Sequence, residues 1–162
     1  MLHHFNFKKK IFFTLPLLIL LTACPVDKQS LQKTPAELMA LQTQDFDTNK
    51  SKALGGVIAV FQDLGFIVQT SDFSTGLITA KSPTKGNYHW MGRKMVDTKA
   101  TGTVRELSSN KVKIRLNFVE SKRLSFGYGM KQENETAILD AKIYQDAFNK
   151  IRNQLFIQKK TN

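Results

Sequence analysis

The run Lys111-Val112-Lys113-Ile114-Arg115-Leu116-Asn117-Phe118 alternates charged or polar residues with apolar ones without a break. Successive side chains of an extended strand point to opposite faces, so this pattern demands a sheet with one apolar face and one basic face. Upstream, Lys99, Thr101, Thr103 and Arg105 alternate with Ala100, Gly102 and Val104 in the same way. The two runs are expected to pair as an antiparallel hairpin through a three-residue loop, Ser108-Ser109-Asn110. Parity then sets Leu107 opposite Lys111, Arg105 opposite Lys113, Val104 opposite Ile114 and Ala100 opposite Phe118. A slip of one residue would put Arg105 against Ile114 and mix the two faces, so it is rejected.

Two helices can cover the apolar face. Between Asn49 and Leu64 the apolar residues Ala53, Leu54, Val57, Ile58, Phe61 and Leu64 fall at helical spacing. Gly65 is placed to stop this helix, with Phe66 folding back onto its last turn. Gly55 and Gly56, costly inside a helix, point to close approach of the helix to the sheet. The last helix is expected from Asp140 as N-cap to Ile157, with Tyr144, Phe148, Ile151 and Leu155 as its buried stripe. Thr34-Pro35-Ala36-Glu37 is a capping box that opens a short helix to Leu41, and a short strand over 42–47 follows. Residues 66–71 and 77–81 form another hairpin across a turn of Asp72 to Gly76. Loops are expected over 83–95 and, in irregular polar chain, over 121–137. The predicted fold class is α+β: an antiparallel sheet of four to five strands with two helices packed on one face.

At 162 residues there is room for one such domain. It is preceded by an address. Lys8, Lys9 and Lys10 are followed by a 13-residue apolar stretch, Ile11 to Ala23, too short for the ~20 residues that span a bilayer. Leu21-Thr22-Ala23-Cys24 resembles a bacterial lipobox, and Cys24 is the single cysteine of the chain. That resemblance implies removal of residues 1–23 as a lipoprotein signal peptide and diacylglycerol on the Cys24 thiol. Two or more acyl chains hold a protein stably on a membrane. With Pro25 rather than Asp after the cysteine, sorting to the outer membrane, facing the periplasm, is expected. Residues 24–34 are the lipidated N-terminus and tether, of which Pro25 to Lys33 reaches at most roughly 30 Å at ~3.3–3.6 Å per residue. Residues 35–162 are the single α+β domain.

Several of these segments carry a further resemblance. ELMALQTQDFDT (37–48), VFQDLGFIVQTSDFSTGLITAK (60–81) and IYQDAFNKI (143–151) resemble a group of small Gram-negative envelope lipoproteins of unknown function. The same pattern is more distantly similar to the helix-grip domains of the lipoprotein in the outer-membrane β-barrel assembly machinery. The resemblance implies a helix-grip-like fold from about 35 to 157 and brings no enzymatic activity with it. The chain departs from the pattern at Met39 and Gln44, where basic residues are common, and at Phe61, where Leu is usual.

No set of residues forms a catalytic constellation in the sequence. Removal of the signal peptide also removes His3 and His4, leaving His89, and one histidine cannot build a zinc site without partners. No metal and no cofactor are expected. Asp45 and Asp47 share a face of any strand there, which reads as a solvated strand. Gly127-Tyr128-Gly129 lacks the further glycine and helix of a nucleotide-binding turn. Tyr88, Trp90 and Met91 are read as cover for a sheet edge, with a hydrophobic groove or lipid contact as open alternatives.

Charge is the most informative functional feature. Residues 81–131 hold twelve basic and three acidic groups, whereas 24–80 hold four and six. Lys99, Arg105, Lys111, Lys113 and Arg115 are expected on one sheet face, where opposed cations argue for a wet, merely solvated face or for an anionic partner. A lipobox protein outside the cytoplasm rarely meets nucleic acid, so that partner is expected to be an envelope protein, lipopolysaccharide or peptidoglycan. The expected function is a non-enzymatic envelope lipoprotein, a binding or scaffold module docking through that face. The alternative is a helix-grip-like binder of a lipid or other apolar ligand, with Tyr144, Phe148 and, as a lid, Trp90 lining its pocket.

Overall fold

Each helix begins where a side chain can close its free amide groups. The computed structural model describes residues 33–90 and 92–160, apart from the side chains of His89, Tyr128, Lys159 and Lys160. The expected signal peptide, Cys24 and most of the expected tether lie outside the described residues. Thr34 caps α1 (Pro35–Gln42) in a reciprocal capping box. Thr34 Oγ1 accepts from the Glu37 amide at 3.3 Å, and the Glu37 carboxylate accepts from the Thr34 amide at 2.7 Å. The Thr34 amide, and then the Thr34 hydroxyl at 3.0 Å, donate to the Glu37 carboxylate and hold it below its ordinary pKa. Asn49 caps α2 (Lys50–Asp63) by accepting from the Lys52 amide at 2.9 Å. Gly65, with φ +81°, ends α2, and the Phe66 amide turns back to the Phe61 carbonyl at 2.9 Å. The Phe66 ring then stands 6.0 Å from that of Phe61, as expected of the fold-back. Asp140 accepts from the Lys142 amide at 2.8 Å at the start of α3 (Ala141–Lys160).

The remaining chain is an antiparallel sheet of seven strands, more than the four to five expected. They are β1 (Thr43–Phe46), β2 (Ile67–Asp72), β3 (Leu77–Lys81), β4 (Lys85–His89), β5 (Gly92–Ser108), β6 (Lys111–Phe126) and β7 (Lys131–Ala137). The main order is β1-β6-β5-β3-β2, with β4 also paired to β5 and β7 to β6. The strands that sequence reasoning missed are β4 and β7, which fall in the segments expected to be loops. All seven residues of β7, KQENETA, are exposed, so no apolar alternation marks them. The hairpin is also longer than expected: β5 begins at Gly92 and β6 runs on to Phe126.

The register of that hairpin agrees with parity along most of its length. Ala100 faces Phe118, Val104 faces Ile114 and Arg105 faces Lys113. Near the turn it differs: Glu106 faces Val112 and Ser108 faces Lys111, so Leu107 is bulged out. The connection is therefore the two residues Ser109 and Asn110, not three, and Leu107 does not oppose Lys111. A one-residue bulge beside a tight turn adds local twist while keeping the faces in phase beyond it.

The apolar parity of the sheet shares one core with α2 and α3. Ala100, Val104, Ile114, Leu116 and Phe118 are buried with Ala53, Val57, Phe61, Tyr144 and Ile151. Phe118 is its aromatic centre, with rings of Tyr144 at 5.3 Å, Phe66 at 6.1 Å and Phe61 at 6.3 Å. The glycine that admits α2 to the sheet is Gly102 of β5, where an added Cβ would stand 2.9 Å from Val57 Cγ1. Gly56 serves a different approach from the one expected: its neighbour is Leu155 of α3, 3.2 Å from a built Cβ, while Gly55 faces open space. A helix pair, and not a helix on a sheet, explains that position.

Candidate functional site

Odd-numbered residues of β5 and β6 point away from the helices. The structure brings Lys99, Arg105, Lys111, Lys113 and Arg115 onto that one outward face, as the alternation requires. Arg105 lies directly opposite Lys113. Neighbouring strands complete the face and change its electrostatics. β1 pairs with β6 so that Asp45 faces Lys113. Its carboxylate sits 3.7 Å from Lys113 Nζ and 3.8 Å from Lys111 Nζ. β7 contributes Glu135, which pairs with Lys99. That hydrogen bond, and then the charge of Glu135, hold the Lys99 ammonium above its ordinary pKa. Arg115 donates to Gln42 Oε1 at 3.0 Å, and Gln42 Nε2 donates to Asn117 Oδ1 at 3.3 Å.

The expected face is thus basic but partly countered. Acidic groups from 45 and 135 lie outside the basic segment in sequence and adjacent to it in the sheet. Asp45 is occupied between two lysines, and Asp47 lies beyond the end of β1. The two carboxylates therefore do not share a strand. Arg105 keeps an exposed guanidinium, and no ion pair to it occurs among the described residues.

Farther along the same face lies a charged knot that sequence reasoning missed. The Asp97 side chain is fully buried, yet it belongs to the outward parity. Lys81 Nζ stands 3.3 Å from its Oδ2, and Arg123 donates to its Oδ1. Ser121, facing Asp97 across β5 and β6, donates to Glu133 Oε1 at 3.2 Å. The signal for Arg123 was present: parity counted on from Lys113 through Val119 and Ser121 reaches it. The signal for Asp97 was hidden, because only the three-dimensional neighbours Lys81 and Arg123 justify burying a carboxylate there. Asp97 is committed to two cations, and Ser121, 1% exposed, offers its hydroxyl to no reachable substrate. The knot therefore works as an electrostatic tie between β3, β5 and β6.

Beside it a cleft of about 350 Å³ opens between Arg93, Met95, Arg123, Leu124, Lys131 and Glu133. A second, of about 470 Å³, lies between α1, β1 and α3 and includes Phe148 and Arg152. Of the residues of the apolar-pocket alternative, Tyr144 and Phe148 share the packed core, and Trp90 stands apart from them. Tyr144 is fully buried, with its hydroxyl donating to the Ile138 carbonyl at 2.9 Å and its ring against Phe118. Phe148 is packed 6.2 Å from Phe46, and Trp90 is 95% exposed, so it covers nothing. Tyr88 likewise stands out, 76% exposed, with the Arg93 guanidinium 4.9 Å over its ring. The backbone of His89 closes β4, and Met91 lies outside the described residues. No group of three or more His, Cys, Asp or Glu side chains is placed to hold a metal among the described residues. Nor is any described helix long and apolar enough to cross a membrane.

Comparison with known proteins yields no family model and no curated protein that matches this chain. Among solved structures, the chain is similar to the crystal structure of a DUF4468 family protein from Bacteroides ovatus. The two share 11% sequence identity at a TM-score of 0.38, over 70% of this chain and 84% of that one. At that level the likeness carries no argument about function.

Proposed function

We propose that this chain is a lipid-anchored, non-enzymatic binding or scaffold module of the cell envelope, held at the periplasmic face of the outer membrane through Cys24. It docks on an anionic envelope partner through the outward sheet face: an acidic protein surface, lipopolysaccharide phosphates or peptidoglycan carboxylates. The association of α2 and α3 with the inward face supports a helix-grip-like domain. The observation that carries the reading is Arg105 directly across from Lys113 on an exposed face. Like charges so placed repel, and an acidic partner turns that repulsion into recognition.

Two experiments test the reading separately. Metabolic palmitate labelling with mass analysis should find an acylated N-terminus at Cys24; a free thiol in a full-length product removes the anchor. A photo-crosslinker at Thr103, opposite Arg115 on the same face, should capture a discrete envelope partner in intact cells. Arg105→Glu combined with Arg115→Glu should abolish that adduct without altering the circular dichroism. An adduct that survives both reversals removes the outward face from the proposal.

A further inference from the structure

The far end of the sheet, beyond the helices, is built unlike the rest of the molecule. Strand pairing brings its parts together: His89 faces Gly92 in the β4–β5 turn, and Gly92 faces Phe126 at the end of β6. The Phe126 amide then donates to the Met130 carbonyl at 2.9 Å, closing the β6–β7 connection against the same end. Large apolar side chains stand in solvent there: Trp90 at 95%, Tyr88 at 76%, Met130 at 64% and Phe126 at 38% exposure. The same end is rich in cations; Arg123 and Lys122 are countered by Asp97 and Glu120, and Glu133 lies beside Arg93 and Arg123, whereas Arg93, Lys94 and Lys131 have no ion pair among the described residues. Residues 85–96 include Lys85, Arg93 and Lys94 and no carboxylate, and residues 121–132 include Lys122, Arg123 and Lys131 and no carboxylate.

We infer that this end is a membrane-contacting tip, in which Trp90, Tyr88, Phe126 and Met130 enter the interface of an anionic bilayer while Arg93, Lys94 and Lys131 lie among its headgroups. Indole and phenol rings favour the headgroup level of a bilayer, where one side of the ring is apolar and the other wet. Clustered Lys and Arg draw such a surface to anionic lipid and lose that attraction in salt. An acidic protein would satisfy the cations but not four scattered apolar side chains projecting from turns and strand ends.

Chain length is compatible with the geometry. Lys33 Nζ donates to the Leu139 carbonyl, and the neighbouring Ile138 amide donates to Phe118. The described chain therefore starts within a side chain's reach of the level of Phe118. From Phe118 to Phe126 strand β6 extends at most about 27 Å, at ~3.4 Å per residue. The tether from Cys24 to Lys33 reaches at most about 30 Å. The two lengths are comparable; in this respect alone the inference rests on the anchor reading above.

Trp90 is the only tryptophan of the chain, which makes the test direct. The full chain, purified in detergent, is reconstituted into vesicles of phosphatidylcholine mixed with phosphatidylglycerol. A parallel sample uses phosphatidylcholine alone. The mixed vesicles should shift Trp90 emission to the blue, and brominated lipid should quench it. Arg93→Glu with Lys94→Glu, both exposed, should remove most of that quenching, as should high salt. Emission that stays at its aqueous wavelength and resists brominated lipid overturns the tip, even with the protein held on the vesicle by acylated Cys24. Conversely, quenching by chain whose Cys24 proves unmodified leaves the tip standing and defeats only the anchor.

Discussion

The hairpin of β5 and β6 passes through two different environments. Over residues 99–104 and 112–118 it is backed by α2 and α3, and its inward residues are fully buried. Over residues 92–96 and 121–126 it is flanked by β4 and β7, and of those residues only Ser121 is buried. The first half is held by apolar burial; the second is held by backbone pairing and by salt links on its face. The difference teaches that a strand needs an apolar partner layer to be stable on its own account, whereas an extension of an existing hairpin needs only in-register neighbours.

The largest effect that could break this contrast is in the core. Phe118→Ala removes the ring at the centre of the aromatic cluster and should cost about 3–5 kcal/mol in urea unfolding. The matched change in the other half, Leu124→Ala at a partly buried site, should cost less than about 1 kcal/mol. Equal losses would erase the distinction. Next is the knot that joins the halves. Asp97→Ala strands Arg123 and Lys81 without their counter-charge. Truncating one partner of a fully buried pair costs about 3–5 kcal/mol, and the partial exposure of both cations brings the expected loss to about 2 kcal/mol. A change within experimental error would make the knot a bystander.

Two glycines sharpen the comparison further. Gly102→Ala drives a methyl toward Val57 Cγ1 in the core and should cost about 1–3 kcal/mol. Gly86→Ala in β4 meets only Arg93 and Lys94 atoms at 3.8 Å or more and should stay within about 0.5 kcal/mol of the parent. The smallest expected effect is local. Asp72 accepts from the hydroxyls of Ser74 and Thr75 in the β2–β3 turn, and these bonds lower its pKa from 3.8 to about 2. Its carboxylate form is the one the fold favours. The contribution is therefore present above about pH 4 and lost as pH falls toward 2. Protection of the Ser74 amide, its exchange relative to the intrinsic rate at each pH, should fall over that window, and Asp72→Asn should flatten the dependence.

What the sequence made legible follows the same division. Parity located the outward cations because Val112, Ile114, Leu116 and Phe118 alternate with them and must be buried. Caps at Thr34 and Asp140 were readable because their geometry is local. β4 and β7 were not readable, since neither buries a face and their pairing is dictated by strands elsewhere. For the same reason Asp45 and Glu135 escaped notice as counter-ions: they reach the cations only through strand neighbours. The Asp97 knot needed Lys81, Arg123 and Ser121 assembled from three strands before the burial of a carboxylate made sense.

β1 has one more consequence, and it concerns time. Its four residues, near the beginning of the described chain, pair only with residues 112–115. As the polypeptide is made, this edge piece waits for about seventy further residues before a docking place exists, and α2 waits longer still for Tyr144 and Ile151. Loops of that length close slowly compared with local turns. The core that α2, β5, β6 and α3 share is therefore complete only once the residues of α3 are made.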